Sequence, residues 1–142
     1  MTRKLNRTGN LPLEFEGEMI AKASSKFTRG QENNRWHIVD VYKSSTGKYV
    51  VDIGYRTQWQ GENDRDDVFV AGDEKGVRFA LLDYDVLGPV VGYPSGTQYA
   101  DKNAALRKKL TENYAVLVTE VFSELGFTER IEDALSPTLD GE

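Results

Sequence analysis

The sequence of 142 residues contains no cysteine, a single histidine and no long run of apolar residues. The missing cysteines exclude a disulfide framework, cysteine-ligated zinc and thiol catalysis, and they are typical of a reducing compartment. Because no apolar stretch follows the basic residues near the amino terminus, we expect neither a signal peptide nor a membrane span. The expectation is therefore a cytoplasmic protein that does not contact a membrane.

Acidic residues outnumber basic residues, with a formal net charge of −5 and an isoelectric point near 5.0. This balance argues against a generic basic surface for nucleic acid. The length predicts a single domain over residues 1–142 with a hydrophobic core of its own. Within it we expect a flexible basic arm at 1–10, a globular core at 11–127 and a partly ordered tail at 128–142.

Two runs of alternating polarity between residues 35 and 59 flank a turn at 44–47, which predicts a central β-hairpin. A further strand is expected at the edge of the sheet, with one face that carries Leu13, Phe15, Gly17, Met19, Ala21 and Ala23. Residues 68–71 add a fourth, short strand. The strands therefore form an antiparallel sheet of four.

Two helices follow the strands. Asp73 is a suitable N-cap for a short amphipathic helix that carries Val77 and Leu81, and a long helix is expected from about 98 to 125, with Gly126 after its end. The fold class is α+β, a four-stranded antiparallel sheet in the order β-β-β-β-α-α with a short and a long C-terminal helix packed on one face. The length of the second helix also allows homo-oligomerisation through its exposed stripe.

No catalytic signature emerges from the polar residues. His37 has no nucleophile, carboxylate or second metal ligand beside it in the sequence. Asp40, Lys43 and Asp52 can be grouped as a nuclease-like set, but a chain this rich in charge produces such sets by chance. We therefore expect no enzyme activity, no cofactor and no metal; an undetected metal-dependent enzyme remains an alternative.

The candidate partner-binding residues fall into three groups along the chain. Alternate glutamates on one strand project to the same side at about the spacing of successive phosphates, and an acidic loop follows the hairpin. These groups could imitate nucleic acid in a basic groove of a partner, although the glutamates could instead protect a sheet edge. A tryptophan between two glutamines forms a third group, a recognition tip. The residues are Glu14, Glu16 and Glu18; Glu62, Asp64, Asp66 and Asp67; and Arg56, Gln58, Trp59 and Gln60.

These observations favour a small acidic, non-catalytic protein that binds another macromolecule. The expected partner is a protein, and an inhibitor or adaptor of the kind that phages and plasmids direct against host machinery fits the size and charge. A partner with a basic nucleic-acid-binding groove would fit the mimicry hypothesis. The alternative is a nucleic-acid-binding module that uses the basic arm together with Lys102, Arg107, Lys108 and Lys109 of the long helix.

Overall fold

The computed structural model describes residues 1–87 and 100–128. Its main sheet has five antiparallel strands in the spatial order β1-β2-β5-β6-β7, and two helices follow. The strands are β1 Thr2–Arg7, β2 Asn10–Ser24, β5 Arg35–Ser44, β6 Tyr49–Thr57 and β7 Arg65–Ala71; the short β3 Phe27–Thr28 and β4 Gln31–Glu32 pair with each other; the helices are α1 Glu74–Leu82 and α2 Ala100–Leu125. The α+β class with an antiparallel sheet is confirmed, whereas the predicted number of four strands is wrong.

The additional strand is β1, which lies where a flexible arm was predicted. β1 pairs with β2 in the register that sets Thr2 opposite Glu16 and Leu5 opposite Leu13. Along β1 the half-buried residues alternate with exposed ones, and Gly9, at φ 76°, allows the tight return into β2. β2 is therefore an interior strand of the sheet, and β1 replaces it at the edge.

One extra residue in β2 changes which way its side chains point. Met19 pairs with Tyr42 but Ala21 pairs with Val41, so Ile20 forms a β-bulge. The predicted single face from Leu13 to Ala23 is therefore wrong. Of that predicted face, Leu13, Phe15, Gly17 and Met19 lie on the side of Tyr42. Ala21 is buried on the opposite side with Val41.

The sheet curls until its two edge strands meet. The Thr8 N–H donates to the Asp66 carbonyl at 2.9 Å, and the Asp66 N–H donates to Thr8 Oγ1 at 2.8 Å. The side that the curl encloses, here called the inner face, brings the Phe15 ring 5.5 Å from that of Tyr42, with the Arg3 guanidinium 5.4 Å from the same ring. Side chains on both faces of the central strands are therefore buried.

The helices cover the other side of the sheet, here called the helix face. The core there joins β-branched residues of β5 and β6 to one stripe of each helix, listed as Ala21, Val39, Val41, Val51, Ile53, Ala71, Val77, Leu81, Tyr114, Leu117, Val118 and Val121. The Tyr114 hydroxyl donates to the Leu81 carbonyl at 2.6 Å and ties α2 to α1. The prediction that both helices pack on one face is confirmed.

Two of the described helix ends, the start of α1 and the end of α2, carry the predicted signals. The Asp73 carboxylate accepts the Gly76 N–H at 2.9 Å, as expected for an N-cap. Gly126, at φ 73°, ends α2 in a Schellman motif with bonds from Gly126 to Ser123 and from Phe127 to Phe122. The predicted start of the long helix at 98 and most of the tail lie outside the described residues.

Replacement of Gly76 by alanine should destabilise the protein, although alanine is the better helix former. A Cβ at this position would lie 2.8 Å from the Cβ of Ala71, which is fixed at the end of β7. We expect Gly76→Ala to lower the free energy of unfolding by about 1 kcal/mol, because overpacking outweighs the gain in helix propensity. Gly72→Ala is the matched control, since nothing lies within 4 Å of its added Cβ. Chemical denaturation measures both; a stabilised Gly76→Ala variant would contradict this packing.

Candidate partner-binding surface

A buried ion pair holds the loop between β6 and β7. Three hydrogen bonds of 2.6 to 3.0 Å join the Arg35 guanidinium to the Glu62 carboxylate, whose side chain is only 6% exposed. The Tyr55 and Thr57 hydroxyls each donate to the same carboxylate at 2.8 Å. Burial alone would raise the pKa of Glu62, but the hydrogen bonds from Arg35, Thr57 and Tyr55 outweigh it and lower the pKa. Glu62 is therefore an ionised structural residue and is largely inaccessible to a partner.

The Arg35–Glu62 pair supports the exposed ring of Trp59. The Arg35 guanidinium lies 5.2 Å from the Trp59 ring centroid, and the ring is 51% exposed. Behind it, a small cavity of about 110 Å³ separates Trp59 from α2 near Lys109. The Trp59 N–H donates to Thr57 Oγ1 at 3.1 Å, and its carbonyl accepts the Glu62 N–H at 3.3 Å. We call residues 58–60, with exposed Gln58 and Gln60 on either side of the ring, the Trp59 tip.

The other residues of the predicted acidic loop also have partners within the chain. Asp64 Oδ1 accepts the Thr57 N–H at 3.1 Å, and Asp66 pairs with Arg56 at 2.8 Å. Asp67 accepts from Arg65 Nε at 3.0 Å and from the Tyr84 hydroxyl at 3.0 Å. The loop thus uses its carboxylates to hold β6, β7 and the turn after α1.

The predicted glutamate row lies on β2, away from this loop. Glu14, Glu16 and Glu18 are all exposed. Glu18 lies 3.3 Å from the Met1 amino group and 3.5 Å from Arg3, and Glu16 accepts a hydrogen bond from the Thr2 hydroxyl. The glutamates of the row thus contact β1, whereas the carboxylates of the loop contact β5, β6, β7 and Tyr84.

Two of the three residues in the nuclease-like set, Asp40 and Asp52, lie together on the inner face, where sequence analysis missed a third carboxylate, Asp66. Asp40 lies directly opposite Asp52, and Asp66 lies on β7 two residues before Val68, which pairs with Asp52. Lys43 does not join them, because it points to the helix face, with its Nζ 3.9 Å from the Tyr49 ring centroid. The nuclease-like set of Asp40, Lys43 and Asp52 is therefore not assembled.

Burial governs the ionisation of these inner-face acids. It raises the pKa of Asp52 to about 7, with further contributions from Asp66 and Asp40 and an opposing one from Arg56. Burial likewise raises the pKa of Asp40, against the effect of Lys22. One oxygen of each of the two carboxylates is buried without a hydrogen bond. With a pKa of about 7, Asp52 changes its protonation state near neutral pH.

His37 lies in the helix-face core and is only 1% exposed. Its ring is surrounded by three tyrosines, with centroid distances of 5.2 Å to Tyr114, 5.5 Å to Tyr55 and 6.1 Å to Tyr84. Both ring nitrogens are buried without a hydrogen-bond partner. Burial lowers the pKa of His37 to about 4, so the imidazole is neutral at physiological pH.

Comparison of the chain with protein-family models, with curated protein sequences and with solved structures gives no match. Neither described helix has an apolar segment long enough to cross a membrane. In residues 1–87 and 100–128, no three histidine or acidic side chains are grouped so that they could hold a metal ion.

Replacement of His37 by phenylalanine should remove part of the acid sensitivity of the fold. In the unfolded chain His37 binds a proton below its ordinary pKa of 6.5. In the folded chain its pKa is about 4, so it binds the proton only at lower pH. Wild-type stability should therefore fall by about 3 kcal/mol relative to His37→Phe as the pH drops through this range. Denaturant unfolding at several pH values measures the difference, and parallel pH profiles for the two proteins would contradict the assignment.

Replacement of Asp52 by asparagine should have the opposite pH dependence. The pKa of Asp52 is about 7 in the folded state and 3.8 in the unfolded state. Because the unfolded state releases the proton first, the wild type loses stability as the pH rises between these values. We expect Asp52→Asn to stabilise the protein at pH 8 by on the order of 2 kcal/mol, less than the full shift implies because the side chain is only partly buried. Near pH 4 the two proteins should be equally stable. A stabilisation that is the same at both pH values would show that the gain does not come from ionisation.

Proposed function

We propose that this chain is a non-catalytic binding protein, an inhibitor or adaptor, whose partner is a protein that docks on the Trp59 tip. The observation that carries the proposal is an exposed tryptophan whose ring rests on Arg35, which is itself held by the buried Glu62 carboxylate. Tryptophan and arginine are the residues that dominate the binding energy of protein interfaces.

The tip is preorganised for binding. Removing one partner of a buried ion pair costs about 3 to 5 kcal/mol. Because the Arg35 guanidinium is held in such a pair by Glu62, its position is set before any partner arrives. Its guanidinium in turn fixes the Trp59 ring, and Gly61 at φ 85° closes the loop behind it. Because little side-chain freedom is left to lose, the ring can contribute its contact area at a low entropic cost.

The chemistry of the tip suits a protein better than a nucleic acid. Nucleic-acid strands are held by several cations that follow the phosphates beside stacking rings. Here the cation under the ring, Arg35, is already neutralised by Glu62, and the flanking groups are the neutral amides of Gln58 and Gln60. Such amides hydrogen-bond to backbone groups of a protein partner.

Capture experiments with the tagged full chain test this proposal. We expect the wild type to retain one stoichiometric protein from a bacterial lysate after nuclease treatment. Trp59→Ala should weaken that binding by about 2 kcal/mol or more, the cost typical of an interface hot spot. Phe27→Ala is the matched control, since Phe27 is an exposed aromatic residue on the separate β3 strand. Glu62→Gln should also weaken binding, because it loosens Arg35 beneath the ring.

Three outcomes would contradict the proposal. Nuclease-sensitive capture would favour the nucleic-acid-binding alternative. Full binding by Trp59→Ala, with loss when Glu14, Glu16 and Glu18 are all replaced by glutamine, would move the contact to the acidic row and support mimicry. Equal losses in Trp59→Ala and Phe27→Ala would indicate that binding does not depend on the tip.

A further inference from the structure

The main sheet has an open edge at the end of β7 away from the Trp59 tip. Asp66 directs its N–H and carbonyl toward Thr8 in the β1–β2 turn. Because outward-facing peptide groups alternate along an antiparallel strand, Val68 and Val70 also direct theirs away from β6. Among the described residues, nothing pairs with the peptide groups of Val68 and Val70. In the described part of the chain, these groups are therefore left for an added strand.

An apolar groove lies beside this edge, between β7 and α1. Phe69, Phe79, Ala80 and Tyr84 form its apolar walls, and its volume is about 490 Å³. Phe79 is 68% exposed on α1, and Val70 is 57% exposed on the edge strand itself. Edge strands of soluble proteins usually carry lysine, proline or a bulge that prevents pairing. The segment from Val68 to Ala71 has none of these, whereas β1 at the opposite edge carries three basic residues.

The groove is also negatively charged. Asp67, Asp83 and Asp85 line it, and Asp67 is paired with Arg65, the one basic residue among the lining side chains. The C-terminal end of α1 reaches the groove at its C-cap, Asp83, and the last turn of the helix contains no basic residue. The partial negative charge of the helix end therefore adds to that of the carboxylates.

We propose that this edge binds an extended peptide segment of a partner protein that has an apolar centre and flanking lysine or arginine residues. The segment adds as a sixth strand, with hydrogen bonds to the peptide groups of Val68 and Val70. Its apolar side chains on the helix face enter the groove between Phe69 and Phe79. Its basic residues lie near Asp83 at the C-terminal end of α1, which gives the site its preference for positive charge.

A second copy of this chain is the less suitable occupant. Residues 65–85 carry six acidic and three basic side chains, a net charge of −3 that would face its own copy across the edge. Like charges brought together at an interface oppose association. A basic segment faces no such repulsion, so charge complementarity selects it.

A designed peptide tests the proposal on the full chain. The probe is a capped peptide of about eight residues, with the centre Val-Thr-Val-Leu and two lysines at each end, and its control has glutamate in place of lysine. We expect the lysine peptide to bind and to shift the amide NMR signals of residues 68–71 and 79–85, and the glutamate peptide to bind at least about tenfold more weakly.

Three substitutions and one control variant separate the contributions to this binding. Val70→Pro removes an N–H that has no partner among the described residues, and should abolish binding; Val70→Thr keeps the N–H and is its matched control. Phe79→Ala removes a wall of the groove and should weaken binding. Asp83→Lys places a base at a helix C-terminus, where it is tolerated, and should weaken binding of the lysine peptide while strengthening that of the glutamate peptide.

The outcomes distinguish this site from the proposed function. No binding of the lysine peptide, or equal binding of both peptides, overturns the inference. Signal shifts confined to the Trp59 tip that Val70→Pro leaves unchanged overturn it too, while capture that depends on Trp59 continues to support the proposed function. Sedimentation that shows self-association sensitive to Val70→Pro would assign the edge to a second copy and also overturn it.

Discussion

The extra residue Ile20 in β2 is the constraint on which the two-sided architecture depends. Before the bulge, β2 pairs with β1 and turns Phe15 toward Tyr42 on the inner face. β2 pairs with β5 from Gly17 onward, and after the bulge it turns Ala21 toward α2 on the helix face. A regular strand would have placed both residues on one side. The bulge thus lets one strand of 15 residues supply side chains to both cores and directs the curl that brings β1 to β7.

The two cores contain polar groups that respond to pH in opposite directions. Neutral His37 on the helix face makes folding less favourable as the pH falls toward 4, because the unfolded chain binds the proton. Asp52 on the inner face makes folding more favourable over the same range, because the folded chain binds the proton first. The two effects offset each other, so a pH profile of the wild type alone conceals both. Glu62 differs from these residues because its carboxylate accepts hydrogen bonds from Arg35, Tyr55 and Thr57, whereas His37 and Asp52 have buried polar atoms without a hydrogen bond.

Local patterns were sufficient to predict much of the fold. The turn at 44–47 determined the register that pairs Asp40 with Asp52, and Asp73 and Gly126 marked helix ends that the structure confirms. The bulge at Ile20 was not predictable, because no glycine or proline interrupts the alternation there. β1 was missed for a related reason: its basic residues resemble a solvated arm, and only pairing with β2 makes it a strand.

The candidate site was less accessible to sequence reasoning because its contacts are distant along the chain. Trp59 was predicted as part of a recognition tip, but Arg35, which supports its ring, lies on another strand, and Glu62 was grouped with the acidic loop. Composition does not distinguish a carboxylate that faces solvent from one that bonds to a buried guanidinium. The sign of the local charge was therefore predicted, whereas the role of each acid was not.

The two proposed contact regions lie at opposite ends of β7, the Trp59 tip in the loop before the strand and the open edge in its second half. Their positions result from the way the sheet closes. At the first end, the Thr8–Asp66 contact covers the edge and the Arg35–Glu62 pair holds the Trp59 tip rigid. Beyond that contact β1 no longer shields β7, so the peptide groups of Val68 and Val70 have no neighbour among the described strands. A sheet closed along its whole length would have no such edge. Partial closure thus leaves a side-chain surface in the loop before β7 and a backbone edge on β7 itself, so the two proposed contacts are separate in both position and chemistry.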